Sequence, residues 1–210
     1  MLIEVIGVAG SGKSTLCGSL KSQNPKMSLS PKLARARMIH WIFVYTMLHG
    51  WKIFLKSKKG SFSSNLKLYL HMKCTLRELK KKSSSQTVFD QGIIYQFASY
   101  KYFGFGDSSS EYLTSVFDDI VKTYLCYLNI LVYLKIQDTL ALERVSKRSS
   151  YHMLNDFSEL NKADFIAYYQ DYYDSVVQIA GQCGCKVVEV DTSYKTPDQV
   201  KEIVSLSLAS

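Results

Sequence analysis

Three glycines, one lysine and three hydroxyl residues crowd into Gly7-Val8-Ala9-Gly10-Ser11-Gly12-Lys13-Ser14-Thr15. The spacing fits G-x-x-x-x-G-K-[ST], a loop whose consecutive backbone N–H groups turn inward on one anion. Lys13 would bring a mobile positive charge to the outer phosphates of a nucleoside triphosphate. The Ser14 hydroxyl would ligate Mg²⁺, and Thr15 would lie near the inner phosphate. Asp90-Gln91-Gly92 is the second candidate. An aspartate just after a short apolar run can complete a Mg²⁺ shell, or take a proton from an acceptor hydroxyl. Gly92 lets the backbone approach a ligand, and Gln91 and Tyr95 follow as candidate acceptor contacts. The plainer alternative is a strand-ending aspartate in a turn. The third candidate is Arg144 and Arg148, two of only five arginines, spaced to share one helix face. Guanidinium groups suit the charge of a phosphoryl group in transfer, whereas a basic helix end complementing its own dipole is the plainer reading. Arg35 and Arg37 form a weaker set, placed where an acceptor phosphate could dock.

Positioning these residues requires a strand before the loop and a helix after it. Leu2-Ile3-Glu4-Val5-Ile6 is short, apolar and β-branched, as a buried parallel strand should be, and Ser14 to Leu20 contains no proline. Gln86 to Phe89 reads as the strand that delivers Asp90. Leu128 to Lys135 and Cys185 to Val190 read as further strands, and Lys26 to Leu29 as a weak one. Helices are expected over 32–56, 65–82, 93–102, 111–127, 160–181 and from Pro197 onward, plus one capped by Asp138 that runs to Lys147. Thr196 and Pro197 suit a helix start. Strands alternating with helices argue an α/β domain, a parallel sheet with helices on both faces. The neighbouring strand would then bring Asp90 to Ser14 at the switch point of the sheet. The polar stretch from about 148 to 160 is a candidate lid.

The composition constrains partners more than chemistry. The chain has 210 residues, 47% of them hydrophobic, which suits one domain over 1–210. The apolar start reads as a strand, not a leader peptide. Five scattered cysteines without a C-x-x-C pair read as reduced thiols in a cytoplasmic protein. The net charge of +8 favours anionic ligands, and nine lysines fall between Trp51 and Lys82. They are not interleaved with aromatics as on a single-strand nucleic-acid platform, so no specific nucleic-acid partner is expected. The apolar run of 38–48 is shorter than the ~18 residues of a membrane span. It reads as a buried helix, with an interfacial membrane contact and a homodimer left open. His40, His49, His71 and His152 show no ligand spacing. Asn161-Lys162-Ala163-Asp164 looks like the guanine-reading N-K-x-D but follows no apolar strand.

Together, Ile3 to Thr15, Val88 to Gly92, Leu131 to Arg148 and Tyr168 to Ser193 resemble the P-loop kinases of the nucleoside monophosphate kinase superfamily, with thymidylate and deoxynucleoside kinases nearest in pattern. The resemblance implies a three-layer P-loop NTPase fold with a five-stranded parallel sheet. It also implies ATP with Mg²⁺, γ-phosphoryl transfer, and an adenine beside Thr192, Ser193 and Tyr194. The nucleotide would lie on Gly7, Ala9, Gly10, Ser11, Gly12, Lys13, Ser14 and Thr15. The acceptor signatures of those kinases, an Arg-Glu-Pro, an Asp-Arg-Tyr and a Glu-Arg-Ser, are absent, and the helical region of 32–82 matches no acceptor-binding region. The strand-end Asp-Gln-Gly also resembles P-loop kinases associated with surface-polysaccharide synthesis, so the expected acceptor is an anionic or polar small molecule of nucleotide, nucleoside or sugar type. A regulatory ATPase with a protein partner and a nucleic-acid end kinase are the rival readings.

Overall fold

The structure is a computed structural model, and it describes residues 1–24, 28–29, 62–81, 86–103, 111–148 and 153–209. Its elements run in the order β1 (Leu2–Ile6), α1 (Lys13–Gln23), β2 (Ser28–Leu29), α2 (Phe62–Lys81), β3 (Thr87–Asp90), α3 (Ile93–Tyr102) and α4 (Glu111–Leu125). There follow β4 (Ile130–Lys135), α5 (Asp138–Ser146), a 3₁₀ turn (Met153–Asp156), α6 (Glu159–Gln182), β5 (Lys186–Asp191) and α7 (Pro197–Ala209). All strand pairs are parallel and the order is β2-β3-β1-β4-β5. The expected five strands are met by four strands of four to six residues and a two-residue edge pairing, Ser28–Leu29 on Thr87–Val88.

β1 lies between β3 and β4 and is buried along its whole length. Its alternate residues feed two cores, as the period of a strand requires. Ile3 and Val5 pack with Val88, Val132, Leu134 and Val190 against Leu16 and Leu20 of α1 and Val200 and Val204 of α7. Leu2 and Ile6 pack with Phe89, Leu131 and Tyr133 against α2, α3, α4 and α6, where Phe97, Phe117, Tyr124 and Tyr173 are fully buried. Glu4 falls in the same register as Leu2 and Ile6, so a carboxylate enters this second core.

The helix ends account for several sequence expectations. Thr196 and Gln199 cap each other reciprocally: Gln199 N donates to Thr196 Oγ1 at 3.3 Å, and Thr196 N donates to Gln199 Oε1 at 2.9 Å. Ser158 accepts from Asn161 N at 3.3 Å and caps α6, so Asn161-Lys162-Ala163-Asp164 lies within the first two turns of that helix and not in a base-reading loop. The expected cap at Asp138 is corrected: Gln137 holds the cap position without a side-chain bond, and Asp138 is the first helical residue. There its negative charge complements the helix dipole. The expected helix over 32–56, with Arg35, Arg37, His40 and His49, and residues 149–152 of the candidate lid lie outside the described residues. The described part of that lid includes the 3₁₀ turn, where Leu154 is buried, and the capped start of α6 at Ser158 and Glu159. No helix among the described residues is long and apolar enough to cross a membrane.

Candidate active site

The chain leaves β1 at Gly7 and turns through Gly7, Gly10 and Gly12, all at positive φ (149°, 86° and 93°). Two of these positions also have no room for a side chain. A Cβ on Gly7 would sit 2.5 Å from the Leu134 carbonyl oxygen, and one on Gly10 would sit 2.6 Å from that of Ala141. The loop is therefore wedged between β4 and the first turn of α5. Ser11 N closes it on Val8 O at 3.2 Å. The Ser11 hydroxyl is buried without a hydrogen-bond partner. α1 starts at Lys13 with no side-chain cap and no acidic residue in its first turn, so its leading N–H groups remain available to an anion.

Lys13 Nζ donates to the carbonyls of Gly7 at 2.7 Å and Val8 at 2.8 Å. Burial lowers its pKa to about 8; Asp90 acts the other way and Arg148 adds to the fall. The strand pairing sets Val5 beside Asp90, and the Ser14 hydroxyl donates to Asp90 Oδ2 at 2.8 Å. The juxtaposition expected from the sequence is thus present in the geometry. Asp90 Oδ1 is buried and has no hydrogen-bond partner. Gln91 then takes a left-handed conformation (φ 63°), and Gly92 opens α3.

Two cavities flank the loop. The larger, about 360 Å³, is bounded by Gly10, Ser11, Gly12, Thr15, Arg144, Arg148, Thr192 and Lys195, with Leu16, Pro197 and Val200 on its apolar side. The smaller, about 80 Å³, is bounded by Gly7, Val8, Ala9, Lys13, Ser14, Gln91, Tyr95, Arg148, Phe165 and Tyr169. The wall of the smaller cavity is aromatic: the rings of Phe165 and Tyr169 lie 4.4 Å apart, those of Tyr95 and Tyr169 5.9 Å apart, and the Tyr169 hydroxyl is 2.7 Å from Ser99 Oγ.

The arginine pair is divided. Arg144 Nη2 donates to the carbonyls of Thr192 at 2.9 Å and Ser193 at 3.1 Å, so its guanidinium anchors the loop after β5 rather than facing Lys13. That loop is fixed further by Thr192 Oγ1 on Lys135 O at 2.9 Å and by Gln137 N on Ser193 Oγ at 3.1 Å. Hydrogen bonds from the Ser193 side chain and backbone hold the Asp191 carboxyl below its ordinary pKa. Among the described residues Arg148 borders both cavities. Phe165, Tyr169, Lys195 and Glu4 were not among the sequence candidates. The i,i+4 aromatic pair and the lone charge within an apolar strand were the signals available; Lys195 carried none.

No protein-family model and no curated protein sequence matches the chain. Its fold is that of solved nucleoside and nucleotide kinases. A deoxyadenosine kinase from M. mycoides with products dCMP and a flexible dCDP bound superposes with a TM-score of 0.58 at 17% identity, covering 100% of this chain and 99% of that one. Thymidylate kinase from Candida albicans gives 0.55 at 17% identity over 99% and 90% of the two chains. The YorR protein from Bacillus subtilis, in complex with phosphorylated GDP, gives 0.54 at 12% identity over 100% and 96%.

Proposed function

We propose that the chain is an ATP-dependent kinase that transfers the γ-phosphoryl group of MgATP to an oxygen of a small polar acceptor, a nucleoside, a nucleotide or a sugar. The observation that most supports this is the Ser14–Asp90 contact of 2.8 Å beside Lys13, at the join of two cavities bordered by Arg148. Phosphoryl transfer needs positioned charge more than covalent chemistry, and this constellation supplies it. The loop amides of residues 7–15 and the free end of α1 would bind the β- and γ-phosphates, while Lys13 exchanges its two carbonyl partners for phosphate oxygens. The larger cavity, walled by the anchored loop of Thr192 and Ser193, would take the nucleobase. The acceptor would enter beside Gln91, Tyr95, Phe165 and Tyr169.

The donor set suits Mg²⁺, a hard cation that takes one or two protein oxygens and fills its shell with phosphate and water. The Ser14 hydroxyl and the Asp90 carboxylate, whose Oδ1 lacks a partner, are such oxygens, and no cluster of three or more His, Cys, Asp or Glu among the described residues competes with them. Held by these two residues, Mg²⁺ would supply positive charge that offsets the charge of the outer phosphates. The acceptor oxygen forms a bond to the γ-phosphorus as the bond to the bridging oxygen of ADP breaks, and Asp90 accepts the acceptor's proton. Arg148 would neutralise charge on the transferred group.

The test is a transfer screen with labelled ATP and Mg²⁺ over nucleosides, nucleoside monophosphates, sugars, sugar phosphates and 5′-hydroxyl oligonucleotides. A labelled product that disappears in Lys13→Ala and Asp90→Asn is expected, and its identity names the acceptor. ATP binding that is lost in Lys13→Ala but never accompanied by transfer would overturn the kinase reading in favour of a nucleotide-binding regulator.

A further inference from the structure

Glu4 is the one acidic side chain that the described sheet sends into its core, and both carboxylate oxygens are fully buried without a hydrogen bond of ordinary geometry. What they face is the start of α3. A Cβ on Gly92 would lie 2.6 Å from Glu4 Cδ and 2.6 Å from Oε1, so the carboxyl rests directly on the Gly92 backbone. The backbone N–H groups of Gly92, Ile94 and Tyr95 and the Tyr124 hydroxyl surround it. α3 has no side-chain cap of its own and no acidic residue in its first turn. Leading helical N–H groups need an acceptor, and here the oxygen that approaches them comes from another strand.

We propose that Glu4 is a positioning residue that caps α3 from β1 and thereby fixes the Asp90-Gln91-Gly92 turn against the phosphate loop. The geometry of this proposal stands alone; its consequence for catalysis rests on the kinase reading. β1 and β3 pair in register, Glu4 beside Phe89 and Val5 beside Asp90, so the cap and the functional aspartate belong to adjacent rungs. The turn between them holds Gln91 in the left-handed region, which a non-glycine residue keeps only when its surroundings impose it. The carboxyl on Gly92 is that surrounding. Through the turn it sets Asp90 against Ser14, and through the first turn of α3 it sets Tyr95 at the wall of the smaller cavity. Burial favours the neutral carboxyl, so the amides meet a carbonyl-type acceptor that glutamine can replace and leucine cannot.

Three variants test this: Glu4→Gln, Glu4→Leu and Gly92→Ala, each read by hydrogen exchange, by ATP affinity without Mg²⁺ and by kcat. In Glu4→Leu the amides of Gly92, Ile94 and Tyr95 are expected to exchange at least tenfold faster and kcat to fall at least tenfold, with ATP affinity within twofold of the original. Glu4→Gln is expected to restore all three readings. Should Glu4→Leu fail to fold, Gly92→Ala, which pushes the carboxyl away while leaving it present, is expected to show the same faster exchange and lower kcat. A folded Glu4→Leu with unchanged exchange at those amides would overturn the proposal, as would a folded Glu4→Gln as impaired as the leucine variant. Expected exchange changes in a protein that transfers phosphoryl to no acceptor would support the cap and overturn the kinase reading instead.

Discussion

Replacing Glu4 by glutamine should change how stability depends on pH, with a size that follows from its burial. Burial raises the Glu4 pKa from 4.5 to about 8, while the Tyr124 hydroxyl and the α3 amides act in the opposite direction. A carboxyl whose folded pKa is raised contributes stability that is complete below the unfolded value and is lost as pH rises toward the folded one. With these two values, linkage removes about 1 kcal/mol by pH 5 and about 4 kcal/mol by pH 7.5, a loss of about 3 kcal/mol across the interval. Glutamine does not titrate, so the difference between the two proteins isolates this group. The ionisable groups that interact with Glu4 are Tyr124 on α4, Tyr172 and Tyr173 on α6, Cys17 on α1 and Cys185 before β5. All have raised pKa values and stay neutral over the interval. Urea unfolding of both proteins from about pH 5 to about pH 7.5 should show Glu4→Gln gaining about 3 kcal/mol on the original, roughly 6–12 °C in melting temperature for a domain of this size. A difference that stays flat with pH would refute the burial argument. One that runs the other way would mean that the carboxylate is held charged by a favourable partner.

Two further outcomes follow from the same geometry. ATP affinity should fall as pH rises through about 8, because Lys13 must be charged to hold phosphate and its folded pKa is depressed to about 8; calorimetric titration from about pH 7 to about pH 9 should show the fall. Arg144→Met should weaken ATP binding about tenfold while leaving the acceptor KM within twofold, since it removes two charge-assisted hydrogen bonds that anchor the Thr192–Ser193 loop and touches nothing at the smaller cavity.

The parts of the site that were legible in the sequence are those fixed by local geometry. The glycines at 7, 10 and 12 are demanded by positive φ, and the lysine and serine follow at fixed offsets along one helix. Asp90 was legible because a carboxyl at the end of a parallel strand beside the first one has few places to go, and the register delivers it to Ser14. Arg144 was not: i,i+4 spacing says that two arginines share a face, but not that a loop 48 residues later will present two carbonyls to one of them. Glu4 was hidden for the same reason. Strand parity aims it at the core, yet what meets it there, the uncapped start of α3, lies nearly ninety residues along the chain.

The same contrast separates the two cavities. The end of the larger one at the glycine loop is formed by backbone, by glycines and by a helix N-terminus, and its outer wall by a loop held through carbonyls and hydroxyls. Groups that every residue carries contribute most of it. The smaller cavity is bounded instead by side chains from distant elements, Gln91 and Tyr95 beside β3 and Phe165 and Tyr169 on α6. Side-chain walls change with single substitutions and leave no fixed spacing, since elements some seventy residues apart must meet to form them. A phosphate donor site is therefore announced by a short contiguous motif, whereas an acceptor is specified by residues that only the folded chain assembles. Substrate choice here should accordingly respond to Tyr95, Phe165 and Tyr169 far more than to any residue of the glycine loop.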